Sequence, residues 1–390
     1  MGNNKIKIFI NTLPVHQETG GMKTFVLELL HALLRRNNAS IEYILICSPS
    51  NENIFSAFFS YSSCTKYTVC INSRSAFRRI YFEQFKLRHI IESVPNAILL
   101  NICNVAVMRC RFPQVTILHC PLCISALRKK LPSKYVTISL PHKIYYNLFV
   151  IRSVKISAKT IVVSEYMRQF LGNKRNHAEV IYGGINSTGL FHAENSREMD
   201  INDEPYILFA GTLFPYKNLG KLLNACRLLK QRGFTQKLWI AGHDPDGKQL
   251  RLLQNMAKEL NIEHDVKFCG YVPPGEMPAL YKNAALFVFL SGVETFGLPV
   301  LEAMACGVPV IASNKMSLPE IVNNAGILVN PDNIKMIANT MEYVLSSTHL
   351  QQSMKTKGLE NIKQFDWNIT ADKFEKVFMD IISSYFKEQQ

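Results

Sequence analysis

Residues 294–302 read Glu-Thr-Phe-Gly-Leu-Pro-Val-Leu-Glu and place two carboxylates eight positions apart around a glycine. The apolar run at 284–290 precedes them and is typical of a buried strand. Residues 299–306 follow, with proline in the first turn and Gly307 beyond the end, which predicts a helix. A strand, a glycine turn and a helix N-terminus together present free backbone N–H groups to an anion.

Placing a carboxylate on each side of an anion site is unfavourable unless the ligand needs both. A nucleotide-sugar has this chemistry, because it carries a diphosphate, a ribose and a sugar with hydroxyl groups. The segment from Glu294 to Glu302 therefore predicts a nucleotide-sugar site.

A chain of 390 residues exceeds one ordinary hydrophobic core, so two domains are expected. Alternating strands and helices predict an α/β fold with two parallel sheets, each covered on both faces. The polar stretch 194–204 is the best linker candidate. We assign 1–195 to an N-terminal domain, 196–204 to the linker, 205–366 to a C-terminal domain, and 367–390 to a helix that packs back on the N-terminal domain.

Further expectations concern the individual elements. A helix is predicted to follow the loop that ends at Gly20-Gly21 and to run to about residue 36, and another is predicted from about Asn218. The predicted strands are 5–11, 42–47, 97–101, 115–119, 160–164 and 179–182 in the first half, and 206–210, 237–241, 265–270, 286–290 and 308–312 in the second.

The charge is concentrated in the first half. Residues 1–195 contain 24 Lys and Arg, 9 Glu and no Asp, whereas residues 196–390 contain 20 basic and 21 acidic residues. Anionic lipid attracts such segments by about 1 kcal/mol per basic residue, and aromatic side chains can enter the interface. Solvated faces over ordinary core aromatics are the alternative. No nucleic-acid-binding signature accompanies the charge. One basic stretch consists of Arg74, Arg78, Arg79, Lys86 and Arg88 among Phe77, Tyr81, Phe82 and Phe85; the other of Lys129, Lys130, Lys134, Lys143, Arg152, Lys155 and Lys159.

The N-terminal residues do not resemble a signal peptide, and no apolar run approaches the length of a transmembrane helix, so a cytoplasmic protein with peripheral membrane contact is expected. Ten cysteines in a chain of this length do not form a disulfide framework. Cys120 and Cys123 follow His119 closely enough to suggest a metal, but no second ligand pair follows. We therefore expect no metal site.

Several marked residues follow predicted strands, where ligands of doubly wound sheets bind. Gly20 and Gly21 join a strand to a helix; a simple turn is the alternative. Gly211 follows the strand 206–210, and Lys217 stands at a helix start, where a cation opposes the helix dipole. Lys217 would compensate a bound diphosphate or be a solvated surface residue. His119 ends a strand, a position where a structural histidine is the more common interpretation.

These residues resemble a large family of retaining glycosyltransferases with the GT-B architecture, glycosyltransferase family 4, which includes bacterial mannosyltransferases. The resemblance implies two Rossmann-like domains that face a central cleft. It is carried by the segments 209–218, 270–274, 294–310 and 317–320, and more loosely by 20–21, 116–119, 161–165 and 182–186.

The resemblance also implies roles. Glu294 would meet the donor sugar, Glu302 the ribose, and Lys217 the diphosphate, with His119 beside the transferred sugar. Members of the family typically need no bound metal. The remaining donor contacts would come from Gly20, Gly21, Gly211, Thr212, Thr295, Phe296, Gly297 and Leu298.

Three positions depart from the family pattern. Thr212 stands where many relatives have arginine, Tyr216 where a charged residue is common, and Cys120 where Asp or Asn is frequent. They reduce the charge available to neutralise phosphate.

The expected function is transfer of a hexose from GDP-mannose or a UDP-hexose to a lipid-linked or other saccharide acceptor of a surface polysaccharide. The expected environment is a peripheral, anionic membrane surface. Two alternatives remain open. One is a nucleotide-sugar epimerase on the same architecture. The other is a non-catalytic nucleotide-sugar-binding subunit, which would bind nucleotide weakly or not at all.

Overall fold

The computed structural model describes residues 5–16, 21–120, 123–130, 140–172, 178–185 and 205–387. Two compact units form. Unit 1 comprises residues 1–184 and 367–390, and unit 2 comprises residues 185–366. The proposed linker, 196–204, lies outside the described residues.

Unit 1 contains a parallel sheet of seven strands in the order β3-β2-β1-β4-β5-β6-β7. Residues of β1, β4 and β5 are almost all fully buried, as expected for a parallel sheet covered on both faces. The strands are β1 (Ile6–Asn11), β2 (Ile41–Cys47), β3 (Cys64–Thr68), β4 (Ala97–Asn101), β5 (Gln114–Leu118), β6 (Lys159–Val162) and β7 (Ala178–Val180).

Unit 2 repeats the same winding with six parallel strands in the order β10-β9-β8-β11-β12-β13. In each sheet the first and fourth strands of the unit are neighbours, and the strand order reverses between them. The strands are β8 (Tyr206–Ala210), β9 (Leu238–Ala241), β10 (Val266–Gly270), β11 (Ala284–Phe289), β12 (Val310–Ser313) and β13 (Ile327–Val329).

The helices lie between the strands in the sequence. In unit 1 they are α1 (Gly21–Arg35), α2 (Glu52–Phe55), α3 (Ala76–Tyr81), α4 (Leu87–Glu92), α5 (Ser125–Lys130), α6 (Leu140–Ile156) and α7 (Glu165–Gln169). Unit 2 has α8 (Leu219–Gln231), α9 (Lys248–Glu259), α10 (Met277–Lys282), α11 (Leu298–Ala305), α12 (Leu318–Val322), α13 (Ile334–Leu345) and α14 (Thr348–Asn361); the last helix is α15 (Trp367–Lys387). Among the described residues, none of these helices is long and apolar enough to cross a bilayer.

The predicted fold class, two Rossmann-like parallel sheets, is confirmed, and every predicted strand is present within a few residues. Two strands were not predicted. β3 is an edge strand of sequence CTKYT that is exposed after its first residue, so it lacks an apolar run. β13 has three residues, too few to establish a period.

Helix α15 belongs to unit 1, where it packs against α1. Phe374, Val377 and Phe378 are buried on one side of it. Arg36, just after α1, pairs with Asp372 at 2.6 Å and with Glu375 at 3.1 Å. The apolar contacts carry most of the binding energy, because the Arg36–Asp372 pair is partly exposed and such pairs contribute about 0–1 kcal/mol.

Truncating Phe378 tests this docking. Phe378→Ala removes a fully buried ring and should lower the free energy of unfolding by about 3–5 kcal/mol. Met379→Ala is the matched control, because Met379 is exposed on the same helix and should change it by about 0.5 kcal/mol or less. Urea unfolding measures both. Equal effects of the two substitutions would contradict the packing described here.

Candidate functional site

The strand order of unit 2 reverses between β8 and β11, and ligands of open α/β sheets bind beyond the carboxyl ends of the strands at such a point. The segment after β8 carries Lys217, and the segment after β11 carries Glu294. The topology therefore brings together two residues that are 77 positions apart in the sequence.

The Lys217 Nζ donates to the Glu294 Oε2 at 2.8 Å. Both side chains are largely buried, with 10% of Lys217 and 17% of Glu294 exposed. The ammonium also lies 4.6 Å from the centre of the Phe289 ring and 5.3 Å from that of Tyr216, within cation–π range. The surface-lysine alternative is wrong, because Lys217 is buried by these contacts.

Local backbone geometry places Lys217. Lys217 ends a 3-10 turn, Pro215–Lys217. It lies just before α8 and not in its first turn, because Asn218 adopts a left-handed conformation (φ 57°) between the 3-10 turn and α8. The Asn218 amide donates to the Leu290 carbonyl at 2.8 Å, and the Gly292 N–H donates to the Tyr216 carbonyl at 2.7 Å. These bonds tie the segment after β8 to the segment after β11.

The Glu294 loop is also held by the segment after β12. The buried Ser317 hydroxyl donates to the Glu294 carbonyl at 3.0 Å and lies 3.4 Å from that of Phe296. The Ser313 hydroxyl donates to the Ser291 carbonyl at 2.6 Å. The carboxylate thus projects from a loop fixed on two sides.

Gly297 forms the N-cap of α11 with φ 103°, a left-handed conformation that favours glycine. A Cβ there would lie 2.8 Å from Leu318 Cδ2, so the turn has no room for a side chain. The first N–H groups of α11, from Leu298 onward, have no partner within the helix, as at any helix start. Thr295 and Phe296, on the approach to this turn, are half-buried.

Glu302 lies one turn further along α11, half-buried. Its Oε2 accepts a hydrogen bond from the hydroxyl of Tyr281, which is fully buried, at 2.8 Å. Burial raises the pKa of the Glu302 carboxyl, and the Tyr281 hydrogen bond opposes that rise. A carboxylate with one fixed donor retains acceptor capacity for a ligand hydroxyl.

Gly211 and Thr212 directly follow β8 and are half-buried. The Gly211 N–H extends the β8–β9 pairing by donating to the Ala241 carbonyl at 2.9 Å. Unit 2 thus brings Lys217, Glu294 and Gly297 to the ends of the two strands where the order reverses.

His119 lies in unit 1, directly after β5. Its ring packs edge-to-face on Phe25 of α1, with centroids 4.5 Å apart, and its Nε2 is buried without a hydrogen-bond partner. Burial lowers the pKa of His119 to about 4, so the imidazole is neutral at physiological pH. Its backbone N–H and that of Cys120 donate to the Asn104 Oδ1 at 2.8 and 3.1 Å.

Gly20 lies outside the described residues, and Gly21 is the exposed first residue of α1. Cys120 is half-buried and Cys123 is buried, and neither forms a disulfide. Across the described part of the chain, no group of three or more His, Cys, Asp or Glu could hold a metal ion.

Sequence reasoning missed the residues that support the site. Tyr281 sits in an apolar run and gives no pattern of its own. Asn104 and Asn218 both adopt positive φ, which a lone asparagine in a loop only weakly indicates. Ser317 was included in the resemblance without a role.

The chain resembles known proteins both in sequence and in structure. Residues 192–361 match the profile of the family described as glycosyl transferases group 1. The chain is 37% identical over 163 residues to the O-antigen chain mannosyltransferase B of Escherichia coli, a match that covers 42% of each chain. The chain thus spans less than half the length of that relative.

Solved structures share the fold across nearly the whole chain. A glycosyltransferase from Rickettsia africae ESF-5 superposes with a TM-score of 0.73 at 18% identity, covering 97% of this chain and 99% of that one. Anabaena Alr3699/HepE in complex with UDP and glucose superposes with a TM-score of 0.71 at 17% identity, covering 96% of this chain and 100% of that one. At these identities the likeness establishes the fold.

Replacing Glu302 should reveal the cost of its burial. Below the ordinary carboxyl pKa of 4.5, Glu302 is protonated in the folded and unfolded states alike. As pH rises above 4.5, the unfolded state ionises first, so the native protein loses stability until the raised folded pKa is passed. Glu302→Gln should therefore unfold at a higher temperature than wild type at pH 7, and this gain should vanish below pH 4.

The matched control is Glu360→Gln, which replaces an exposed carboxylate and should leave the unfolding temperature nearly unchanged. Thermal unfolding across pH 4–8 measures both. A Glu302→Gln protein no more stable than wild type at pH 7 would show that burial of this carboxylate carries no penalty.

Asn104 should be essential to the loop that carries His119. Asn104→Gly keeps the left-handed backbone (φ 59°) but removes the acceptor of two N–H groups, and should lower the free energy of unfolding by about 1–3 kcal/mol. Asn104→Asp keeps an acceptor oxygen and should lose less. Urea unfolding compares them, and equal stability of the two variants would exclude the hydrogen bonds as the cause.

Proposed function

We propose that this chain, whose residues 192–361 match the profile of the group 1 glycosyltransferases, transfers a hexose from a nucleotide-diphosphate-sugar to a saccharide acceptor. The observation that carries the proposal is the ion pair of Lys217 and Glu294 at the point where the strand order of unit 2 reverses. A nucleotide-sugar offers each partner a replacement, an anionic diphosphate for the ammonium and sugar hydroxyls for the carboxylate.

The donor would occupy the carboxyl ends of β8 and β11. Its diphosphate would take the N–H groups at the start of α11 and the ammonium of Lys217. Its ribose would donate a hydroxyl hydrogen bond to Glu302, which Tyr281 already orients. Its sugar hydroxyls would donate to Glu294, whose loop is fixed by Ser317.

Charge on the departing diphosphate is the main electrostatic demand of the reaction. Preorganised N–H groups and a buried cation stabilise such charge without reorganisation. Lys217 is already desolvated, so its attraction to phosphate is screened less than that of a surface lysine. On this proposal no metal ion is needed. Thr212 and Tyr216, which stand where relatives often carry charge, leave Lys217 as the principal cation supplied by the segment after β8.

We further propose a retaining reaction on one face of the sugar. The bond between the anomeric carbon and the diphosphate oxygen breaks, the acceptor oxygen bonds to the same carbon, and the acceptor proton passes to the diphosphate. Glu294 then acts by binding the sugar. His119, neutral because burial lowers its pKa to about 4, can accept or donate one hydrogen bond.

Mannose is favoured as the transferred sugar, because the matched Escherichia coli relative is named an O-antigen chain mannosyltransferase. GDP-mannose is therefore the first donor to test. A UDP-hexose is the second, since the Anabaena structure of the same fold binds UDP and glucose. The acceptor is proposed to be a lipid-linked saccharide of a surface polysaccharide, used by a cytoplasmic enzyme at an anionic membrane surface.

A thermal-shift panel of GDP, UDP, ADP and their sugars tests the proposal. A ligand at 100 times its Kd should stabilise the protein by about 2.7 kcal/mol. GDP-mannose should give the shift, and Lys217→Ala should bind the donor more weakly and give a smaller shift at the same concentration. Glu294→Gln should keep the thermal shift with GDP but lose the additional shift that GDP-mannose gives over GDP. Each variant is compared with its own unliganded state, because breaking the ion pair lowers stability by itself.

Lys221→Ala is the matched control, since Lys221 pairs with Asp332 on the surface and should leave the GDP-mannose shift intact. The absence of a thermal shift with every nucleotide and nucleotide-sugar of the panel would overturn the donor site and favour the non-catalytic subunit. Conversion of the donor to an isomeric nucleotide-sugar without acceptor, detected by NMR, would favour the epimerase.

A further inference from the structure

Two neighbouring helices of unit 1 expose large apolar side chains in regular rows. On α3 and the π-helical turn that follows it (Phe82–Lys86), Phe77, Tyr81 and Phe85 recur every four residues, with Phe77 81% exposed. The rings of Tyr81 and Phe85 contact each other in a tilted arrangement, with centroids 5.3 Å apart. A protein surface normally scatters such side chains singly, so a row calls for an explanation.

The second row lies on α6. Its members follow spacings of four, four and three residues, which places them on one side of a helix. Their exposed fractions run from 46% to 69%, whereas Val150, Ser153 and Val154 on the other side are buried. The row consists of Leu140, Ile144, Leu148 and Ile151. We call the two rows together the apolar stripe.

The two helices are near each other. The Gln84 amide donates to the Ala106 carbonyl at 3.1 Å, and the Ala106 N–H donates to the Ser153 hydroxyl of α6 at 2.8 Å. Ala106 lies in the segment after β4, where Asn104 accepts the backbone N–H of His119. The inner sides of both helices therefore border the carboxyl edge of the unit 1 sheet, where Glu83 accepts a hydrogen bond from Asn11 at 2.9 Å.

Cations surround the apolar stripe. Arg78 and Lys86 are exposed beside its first row, and Arg152 and Lys155 beside its second. Helix α6 contains no Asp or Glu, and the one carboxylate between residues 76 and 91, Glu83, is buried. This charge opposes self-association, since a second copy would bring cations against cations, and it favours an anionic partner.

We propose that the apolar stripe docks unit 1 on an anionic lipid surface. Its seven apolar side chains would enter the interfacial region, and Arg78, Lys86, Arg152 and Lys155 would contact lipid phosphates. Under the proposed function, on which this part rests, the docked face would keep the His119 loop close to the membrane that holds a lipid-linked acceptor.

Vesicle sedimentation of the full chain tests the docking. Wild type should bind vesicles of phosphatidylglycerol and phosphatidylethanolamine at least about tenfold more tightly than phosphatidylcholine vesicles, and less tightly in 0.5 M salt. Arg152→Gln with Lys155→Gln should weaken binding roughly 25-fold, about fivefold per cation. Ile144→Ser with Leu148→Ser should weaken it further without lowering the unfolding temperature, because both side chains are exposed.

Leu252→Ser with Tyr343→Ser is the matched control, since these exposed apolar residues lie on two helices of unit 2 and should leave vesicle binding unchanged. Equal binding to both vesicle types would overturn the proposal, as would stripe variants that bind like wild type. The proposal would also be overturned if sedimentation equilibrium showed a dimer and the Ile144→Ser with Leu148→Ser variant dissociated it.

The GDP-mannose thermal shift separates this proposal from the proposed function. Stripe variants should keep that shift, because their substitutions lie in unit 1 and the proposed diphosphate contacts in unit 2. Vesicle binding without a shift from any nucleotide-sugar would sustain the lipid surface and reject the transferase. A thermal shift with GDP-mannose but no vesicle binding would sustain the transferase and reject the lipid surface.

Discussion

The pairing of Lys217 with Glu294 is the interaction on which the candidate site depends. It joins the two strand ends where the order of the unit 2 sheet reverses, and it places an ammonium and a carboxylate, both mostly buried, 2.8 Å apart. Separating such a pair without replacement costs about 3–5 kcal/mol, because a buried charge is left uncompensated. A ligand that carries both an anion and hydroxyl donors can replace the two partners at once.

The two units have parallel sheets with the same strand-order reversal, but they differ in charge. Unit 2 comes from the nearly neutral half of the sequence, and its site is built from a few fixed polar groups: the Lys217–Glu294 pair, the Tyr281–Glu302 hydrogen bond and the N-terminus of α11. Unit 1 carries the basic excess, and its exposed apolar stripe has no counterpart of similar regularity in the described part of unit 2. The proposed transfer would use unit 2 for the small donor and the basic face of unit 1 for a membrane-held acceptor.

The sequence predicted the fold well because parallel strands bury both faces and appear as short apolar runs, as at residues 97–101 and 206–210. It predicted the positions of Glu294 and Gly297 because a strand, a glycine turn and a helix follow each other locally. It did not predict that Lys217 pairs with Glu294, because that contact depends on strand order. Tyr281 and Asn104 gave no signal, since their roles arise only from tertiary hydrogen bonds.

The central claim is that the donor replaces the ion pair. A double-mutant cycle of Lys217→Ala and Glu294→Gln gives their coupling free energy from urea unfolding, without ligand and with saturating GDP-mannose. We predict a coupling of about 1–3 kcal/mol in the free protein. With the donor bound it should fall towards zero, because each side chain then has a partner on the ligand. A coupling unchanged by the donor would mean that the pair is structural and that the nucleotide-sugar binds elsewhere.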